Sequence, residues 1–368
     1  MMEQIFESVL AFIHDPETGL FDDLALRVFD SQFHHNEPYR RYCERRGRRP
    51  GTFTSWKEIP AVPTAAFKEL DLVCGRPEKV FLTSGTTQGP KRRGRHGFPW
   101  LALYHASLLS NFASYLLPDG AHLRMLILTP PPKVMPDSSL VHMLEVVRKY
   151  LGVSGSRYFI GEKGLDFRGL TQALSQAEEK EEPVLLLGTT SSFVHFFDGC
   201  LEKGLRFQLP KGSRLMDTGG SKGIGRQVQR AEFYQLCCEV LRVEEFYCVN
   251  EYGMTEMGSQ FYDNVLKNRF LGIEELRYKV IPPWVRTIVV DPETLEEAPD
   301  GSVGILRHYD LANAGSVMAV QTEDLGYKVG EGFEVIGRIP GAETRGCSLA
   351  LLERLAISHQ PSAKSPIR

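Results

Sequence analysis

Apolar residues recur at helical spacing through the first 49 residues: Phe6, Leu10 and Ile13, then Leu20, Leu24, Phe29 and Phe33. Asp15-Pro16 and Asn36-Glu37-Pro38 punctuate that segment, which predicts two or three short helices. Pro60 and Pro63 favour an extended path after Trp56, and Thr64 is placed to cap a short helix. From residue 80 the pattern changes. Residues 80–82, 125–128 and 183–187 are short continuous apolar runs of the buried-strand type. Helix-period stretches over 101–117, 138–147 and 165–182 alternate with them, the second opening on Ser138 as a cap. Strand-then-helix alternation predicts α/β layering, with ligands at the carboxyl ends of strands. Beyond residue 284 the period shortens, and 285–291 and 301–306 read as strands of a β-rich section. The expected organisation is an N-terminal helical segment over 1–78, an α/β core over 79–284, and a β-rich section with a C-terminal tail over 285–368. These three form one integrated body.

Composition narrows the function by exclusion. A chain of 368 residues, 42% hydrophobic and 24% charged, is an ordinary globular composition with a sizeable core. A net charge of -3 argues against bulk electrostatic binding of nucleic acid. The basic run from Tyr39 to Arg49 reads as a solvated helical face. No apolar run approaches the length of a membrane span. Glu3 and Glu7, with no basic region before the first apolar residues, do not make a secretory signal. Seven cysteines without a Cys-x-x-Cys pair fit reduced thiols in a cytoplasmic protein better than disulfides or a zinc site.

The candidate chemistry begins where the first apolar run empties into Thr83-Ser84-Gly85-Thr86-Thr87-Gln88-Gly89-Pro90-Lys91. Hydroxyls and glycines suit a loop whose backbone N–H groups approach phosphate, and Lys91 adds a mobile positive charge. Three residues separate Gly85 from Gly89 and Pro90 precedes the lysine, so the common nucleotide-triphosphate loop is excluded. Arg92, Arg93 and Arg95 follow, a cluster suited to a triphosphate or departing pyrophosphate. Phe193, His195, Phe196 and Phe197 come after Gly188-Thr-Thr-Ser-Ser192, read as a loop. Phe193 and His195 are candidates to line a pocket for an apolar acid, with core packing the competing role. The run Thr218-Gly-Gly-Ser-Lys-Gly-Ile-Gly225 reproduces a short-chain dehydrogenase fingerprint. Its position far from the start of the chain argues against that class. So does the lack of lysine four residues after any of the 13 tyrosines.

The string at 83–91 resembles, less one spacer, the signature loop of the adenylate-forming superfamily, which activates a carboxylic acid with ATP as an acyl-adenylate. Tyr252-Gly253-Met254-Thr255-Glu256 resembles a second motif of that superfamily. The resemblance implies that Tyr252 flanks the adenine, Thr255 contacts phosphate and Glu256 helps hold Mg²⁺. These are the residue types the chemistry wants: an aromatic face, a hydroxyl donor and a hard oxygen ligand. It likewise implies that Asp324, in Gln321-Thr-Glu-Asp324, bonds the ribose hydroxyls, and that Arg338, after Gly337, contacts the nucleotide. Gly219 and Gly220 then become a backbone loop beside the nucleotide, with Lys222 free to reach phosphate. Such enzymes continue past this hinge into a mobile domain carrying a catalytic lysine. With 23 residues after Arg345, that domain is expected to be absent here, and Lys91 and Lys222 are the candidates to replace its lysine.

The resemblance narrows at Arg345-Gly-Cys-Ser-Leu349, Asn36-Glu-Pro-Tyr-Arg40, residues 56–68, Ser138-Ser-Leu140 and residues 218–223. Together these resemble the acyl-protein synthetase family, known from the fatty-acid reductase complex of bacterial bioluminescence. Membership implies that Cys347 accepts the acyl group, by default fatty, as a thioester for delivery to a partner acyl reductase. Arg338 and Arg345 would favour the thiolate if they lie near it. Two other readings stay open. One is a ligase that passes the acyl group to coenzyme A, a carrier protein or an amine; the other is a non-catalytic nucleotide-binding subunit.

Overall fold

The computed structural model describes residues 2–17, 20–83, 93–219, 226 and 228–338. Three helices open the chain: α1 (Met2–His14), α2 (Phe21–His35) and α3 (Glu37–Arg45). Asn36 separates the last two by chemistry: its side chain accepts from the Tyr39 N–H, and Pro38 stands in the first turn of α3, where no donor is needed. A short strand β1 (Val62–Pro63) leads to a 3-10 turn over Thr64–Lys68. Thr64 was expected as a cap; it is instead the first residue of that turn, behind Pro63.

The strand expected at 80–82 is β2 (Lys79–Leu82), antiparallel to β3 (Arg95–Phe98), with Leu82 opposite Arg95. Only Phe81 of β2 is buried, against Phe98 and Tyr104, because the pair stands apart as a two-stranded ribbon. Then follow α4 (Leu101–Leu116), β4 (Arg124–Leu128), α5 (Ser139–Tyr150) and β5 (Arg157–Tyr158). A small pair, β6 (Ile160–Gly161) and β7 (Gly164–Leu165), precedes α6 (Phe167–Glu179). The Ser138 hydroxyl caps α5 by accepting from the Val141 N–H, as its sequence position suggests.

Next come β8 (Val184–Thr189), α7 (Thr190–Glu202), β9 (Arg214–Thr218), α8 (Arg230–Leu241), β10 (Cys248–Tyr252) and β11 (Phe261–Tyr262). They complete a sheet in the order β5-β4-β8-β9-β10-β11, parallel except for β11. Leu185, Leu186, Leu187, Leu215 and Met216 are all buried, the continuous apolar signature of a sheet covered on both faces. Residues 188–192, read from sequence as a loop, divide between strand and helix. Thr189 caps α7 through the Ser192 N–H, so the chain turns directly from β8 into the helix.

A helix α9 (Val265–Leu271) leads to the second sheet: β12 (Lys279–Val280), β13 (Val285–Val290), β14 (Gly304–Asp310), β15 (Ala319–Val329) and β16 (Gly332–Arg338). Its order is β12-β16-β15-β14-β13, with β1 added in parallel to β15. The opening helices share their core with this sheet: Val9, Phe12, Val28 and Phe29 pack in one cluster with Val285, Tyr309 and Val320. Among the described residues no helix is long and apolar enough to cross a membrane.

Candidate active site

Parallel pairing sets Thr189 beside Thr218, and Thr218 beside Glu251, so the carboxyl ends of β8, β9 and β10 open together. From β4 the chain passes to β5 on one side and to β8 on the other, the switch point where such sheets bind ligands.

The Tyr252 hydroxyl, at the end of β10, donates to Asp324 Oδ2 at 2.8 Å. Arg338 Nε donates to Asp324 Oδ1 at 3.1 Å. The β15–β16 ladder sets Asp324 opposite Arg338, and the Thr322 hydroxyl accepts from the Asp324 N–H. Asp324 is thus a strand residue, buried, and each carboxylate oxygen keeps lone-pair capacity for a further donor. The Tyr252 ring lies among Phe261, His308 and Phe333; burial, then the Asp324 charge, pushes its hydroxyl pKa well up.

Thr255 and Glu256 are held by their carbonyls. His96 Nδ1 donates to Thr255 O at 2.7 Å, and Asn313 Nδ2 donates to Glu256 O at 2.9 Å. The Thr255 hydroxyl stands 3.4 Å from that of Ser139. Burial lowers the His96 pKa to about 4, so this ring is a neutral donor. Burial also raises the Glu256 carboxyl to about 7, against the pull of Arg338 and Lys68. A divalent cation beside it would restore the carboxylate. One carboxylate plus phosphate oxygens is a usual Mg²⁺ environment, so Glu256 fits. Among the described residues no group of three or more His, Cys, Asp or Glu is placed to hold a metal without phosphate.

The base of the signature loop is closed on itself. Thr83 N–H donates to Gly94 O at 2.9 Å, and Gly94 N–H donates to the Thr83 hydroxyl at 2.8 Å. A Cβ at Gly94 would come 2.9 Å from Thr83 Cγ2, so glycine is required for that closure. Arg93 donates to the carbonyls of Thr83 and Leu82, and Arg95 faces Asp71 at 3.5 Å. Two of the arginines expected to await phosphate are therefore engaged elsewhere. Ser84, Gly85, Thr86, Thr87, Gly89, Lys91, Gly220, Lys222 and Cys347 lie outside the described residues. Gly219, past the end of β9, has no described residue within 4 Å of where a Cβ would be, whereas a Cβ at Gly253 would strike Glu251 Oε1.

The suggestion that Phe193 and His195 line one acid pocket does not survive the fold. Both lie on α7; Phe193 is fully buried against Phe197 and Phe233, and His195 is exposed. Residues two apart on a helix point roughly 200° from each other, so they cannot face the same cavity.

Several residues at the site escape a motif-based reading. Glu251, fully buried with its pKa raised to about 7 by burial, lies beside Thr218. Asp217 receives the Thr190 hydroxyl at 2.6 Å and Asn250 Nδ2 at 2.9 Å. Beneath β10, Lys279 Nζ donates to Asp263 Oδ1 at 2.6 Å and to Asn250 Oδ1 at 2.7 Å. Contiguity could have pointed to Asn250 and Glu251, which precede Tyr252, and to Asp217, which precedes the run at 218–225; Asp263 and Lys279 carried no such signal.

Solved structures place this architecture. The chain superposes on 2-hydroxyisobutyryl-CoA ligase in the postadenylation state, in complex with 2-HIB-AMP, with a TM-score of 0.63. That match has 16% identity and covers 87% of this chain and 68% of that one. ATP-bound MatB from Rhodopseudomonas palustris gives a TM-score of 0.50 at 17% identity, over 72% of this chain and 49% of that one. The fold is that of the large body of adenylate-forming ligases. Residues 2–356 match the family model described as Acyl-protein synthetase, LuxE, and the chain belongs to that family. Its curated relatives include the long-chain-fatty-acid–luciferin-component ligases of Aliivibrio fischeri and Vibrio harveyi, both 22% identical. These alignments cover 90% and 89% of this chain, and 87% and 86% of the relatives. The chain is thus an AMP-forming ligase.

Proposed function

We propose that this chain activates a fatty acid with ATP as the acyl-adenylate and then takes the acyl group onto its own Cys347 as a thioester. The observation that carries the first half is the convergence of Tyr252, Asp324 and Arg338 beside Thr255 and Glu256, in a chain of the acyl-protein synthetase family. The Tyr252 ring offers a face to the adenine, and the free lone pairs of Asp324 accept the ribose hydroxyls. Thr255 donates its hydroxyl to phosphate. Backbone amides over 83–89 and at Gly219 and Gly220, with Lys91 and Lys222, stabilise the phosphate charge. Glu256, together with phosphate oxygens, would hold Mg²⁺, which would supply further neutralisation of that charge. A carboxylate oxygen of the acid forms its bond to the α-phosphorus as the bond to pyrophosphate breaks. The Cys347 thiolate then attacks the acyl carbonyl, and AMP leaves.

The names of the curated relatives support a long-chain acid and, through the luciferin component, delivery to a partner acyl reductase. Six cysteines among the described residues are free thiols, which supports a reducing, cytoplasmic setting. The test incubates the chain with ATP, Mg²⁺ and radiolabelled acids of graded length, followed by denaturing gels with and without hydroxylamine. The expected result is a hydroxylamine-labile label on the chain that Cys347→Ser lacks. Normal labelling of Cys347→Ser would sink the second half-reaction. Pyrophosphate exchange without any label would leave an acceptor outside the chain, such as coenzyme A.

A further inference from the structure

Lys68 closes the 3-10 turn that follows β1, and that turn is anchored on both sides. Val62 pairs with Val320 of β15, Ala66 and Phe67 are buried, and the Phe67 ring meets His96 edge-on at 5.4 Å. His96 in turn holds the Thr255 carbonyl. A fixed backbone therefore delivers Lys68 to the rim between the base of the signature loop and the Thr255-Glu256 segment. Its stem runs beside Gly94, where a Cβ would lie 3.6 Å from Lys68 Cγ.

The neighbouring cations Arg93, Arg95 and Arg338 are occupied. Arg93 is bonded to backbone carbonyls, Arg95 faces Asp71, and Arg338 is paired with Asp324. Lys68 is exposed, and it forms no ion pair among the described residues. A flexible stem on a rigid base, ending in a point charge that no other described residue engages, suits phosphate oxygens that move during reaction.

We propose that Lys68 is a catalytic residue of the adenylation half-reaction, its ammonium meeting the phosphoryl oxygens of the nucleotide. The assignment rests on the adenylating function proposed above. As the acid's oxygen bonds to the α-phosphorus, the bond to pyrophosphate breaks and its electron pair leaves with the pyrophosphate oxygen. No proton moves, and the ammonium stays protonated throughout. It acts where negative charge develops on the departing group, which is where a preorganised donor contributes most.

The experiment compares the unaltered chain with Lys68→Met, Lys68→Arg and Lys57→Met, an exposed lysine paired with Glu297 as control. Two half-reactions are read separately: acid-dependent exchange of labelled pyrophosphate into ATP, and acyl transfer from a supplied acyl-adenylate. For Lys68→Met the expected loss of exchange is ~100-fold, in kcat rather than in the KM for the acid. Acyl transfer from the adenylate and the thermal midpoint stay unchanged, Lys68→Arg recovers part of the exchange, and Lys57→Met is indistinguishable from the unaltered chain. Full exchange in Lys68→Met overturns this assignment alone, as does an equal loss in both half-reactions. Absence of exchange in the unaltered chain overturns the functional reading and this assignment with it.

Discussion

Replacing Lys279 by methionine tests whether the nucleotide strand rests on a buried charge network. The Lys279 side chain is 1% exposed and that of Asp263 0%, and their charged atoms lie 2.6 Å apart. Asp263 also accepts from Arg277 Nη1 at 2.7 Å and from the Asn250 N–H at 3.0 Å. Lys279 further donates to both oxygens of Asn250, two positions before Tyr252. Methionine keeps most of the stem and removes the charge, leaving a buried carboxylate one cation short and the Asn250 side-chain oxygen unpaired, while the Asn250 carbonyl keeps the Asp263 N–H. Removing one partner of a buried pair costs ~3–5 kcal/mol. Because Arg277 and the amide remain, the lower end, ~3 kcal/mol, is expected.

The assay is urea unfolding followed by circular dichroism, repeated as pH is lowered. Burial pushes Asp263 up, but Lys279 and Arg277 outweigh it and hold the carboxyl below its ordinary value. A depressed acid contributes stability above its unfolded pKa of ~4 and loses it as pH falls through the folded value. In Lys279→Met the carboxyl is less depressed, so the acid loss is smaller and is complete at a higher pH. Adding Asp263→Asn removes the stranded charge, so the double variant is expected to be more stable than Lys279→Met alone. A Lys279→Met chain within ~0.5 kcal/mol of the unaltered one would refute the reasoning, since that is the scale of an inconsequential surface change.

Asp324→Asn removes the charge to which Tyr252 and Arg338 donate and, in the proposed site, the ribose acceptor. With hydrogen bonds to charged groups at ~1.5–3 kcal/mol, the KM for ATP should rise ~10–100-fold in steady-state exchange kinetics. An unchanged KM would exclude that role. His96 and His308 are both fully buried, and burial lowers their pKa values to about 4 and about 3. Each therefore contributes stability above the unfolded value of ~6.5 and loses it as pH falls toward the folded value, at up to ~1.4 kcal/mol per pH unit. Urea midpoints should drop between about pH 7 and about pH 5, and less steeply in His308→Gln. A flat profile across that window would contradict the burial argument.

Local chemistry was legible in the chain. The helix period over 101–117 becomes α4, and Ser138 caps α5 as its spacing predicts. The continuous apolar runs become β4 and β8, covered on both faces. The nucleotide motifs were legible for the same reason: a loop that approaches phosphate needs its glycines and hydroxyls contiguous, so the requirement is written in adjacent residues. Gly94 shows the limit of that reading, because its need for a missing Cβ comes from Thr83, a partner across the ribbon.

What only the tertiary structure decided is which faces meet. Tyr252 and Asp324 are 72 residues apart, and Asp324 and Arg338 meet through strand register, which no local spacing encodes. The opening helices look like a separate segment, yet they share a core with the last sheet, and Gln32 donates to the carbonyls of Asn313 and Ala314. Phe193 and His195 were adjacent enough to suggest one pocket, and the turn of α7 set them apart. Arg93 and Arg95 read as phosphate ligands until the ribbon bound one to carbonyls and turned the other toward Asp71. Lys68 lay unremarked in a short turn until β1 joined β15 and brought it beside Gly94. Hydrophobic period and capping act over a few residues, so the sequence carries them openly. Long-range pairing is settled by the burial of whole faces against one another, and that becomes visible only when the chain has folded.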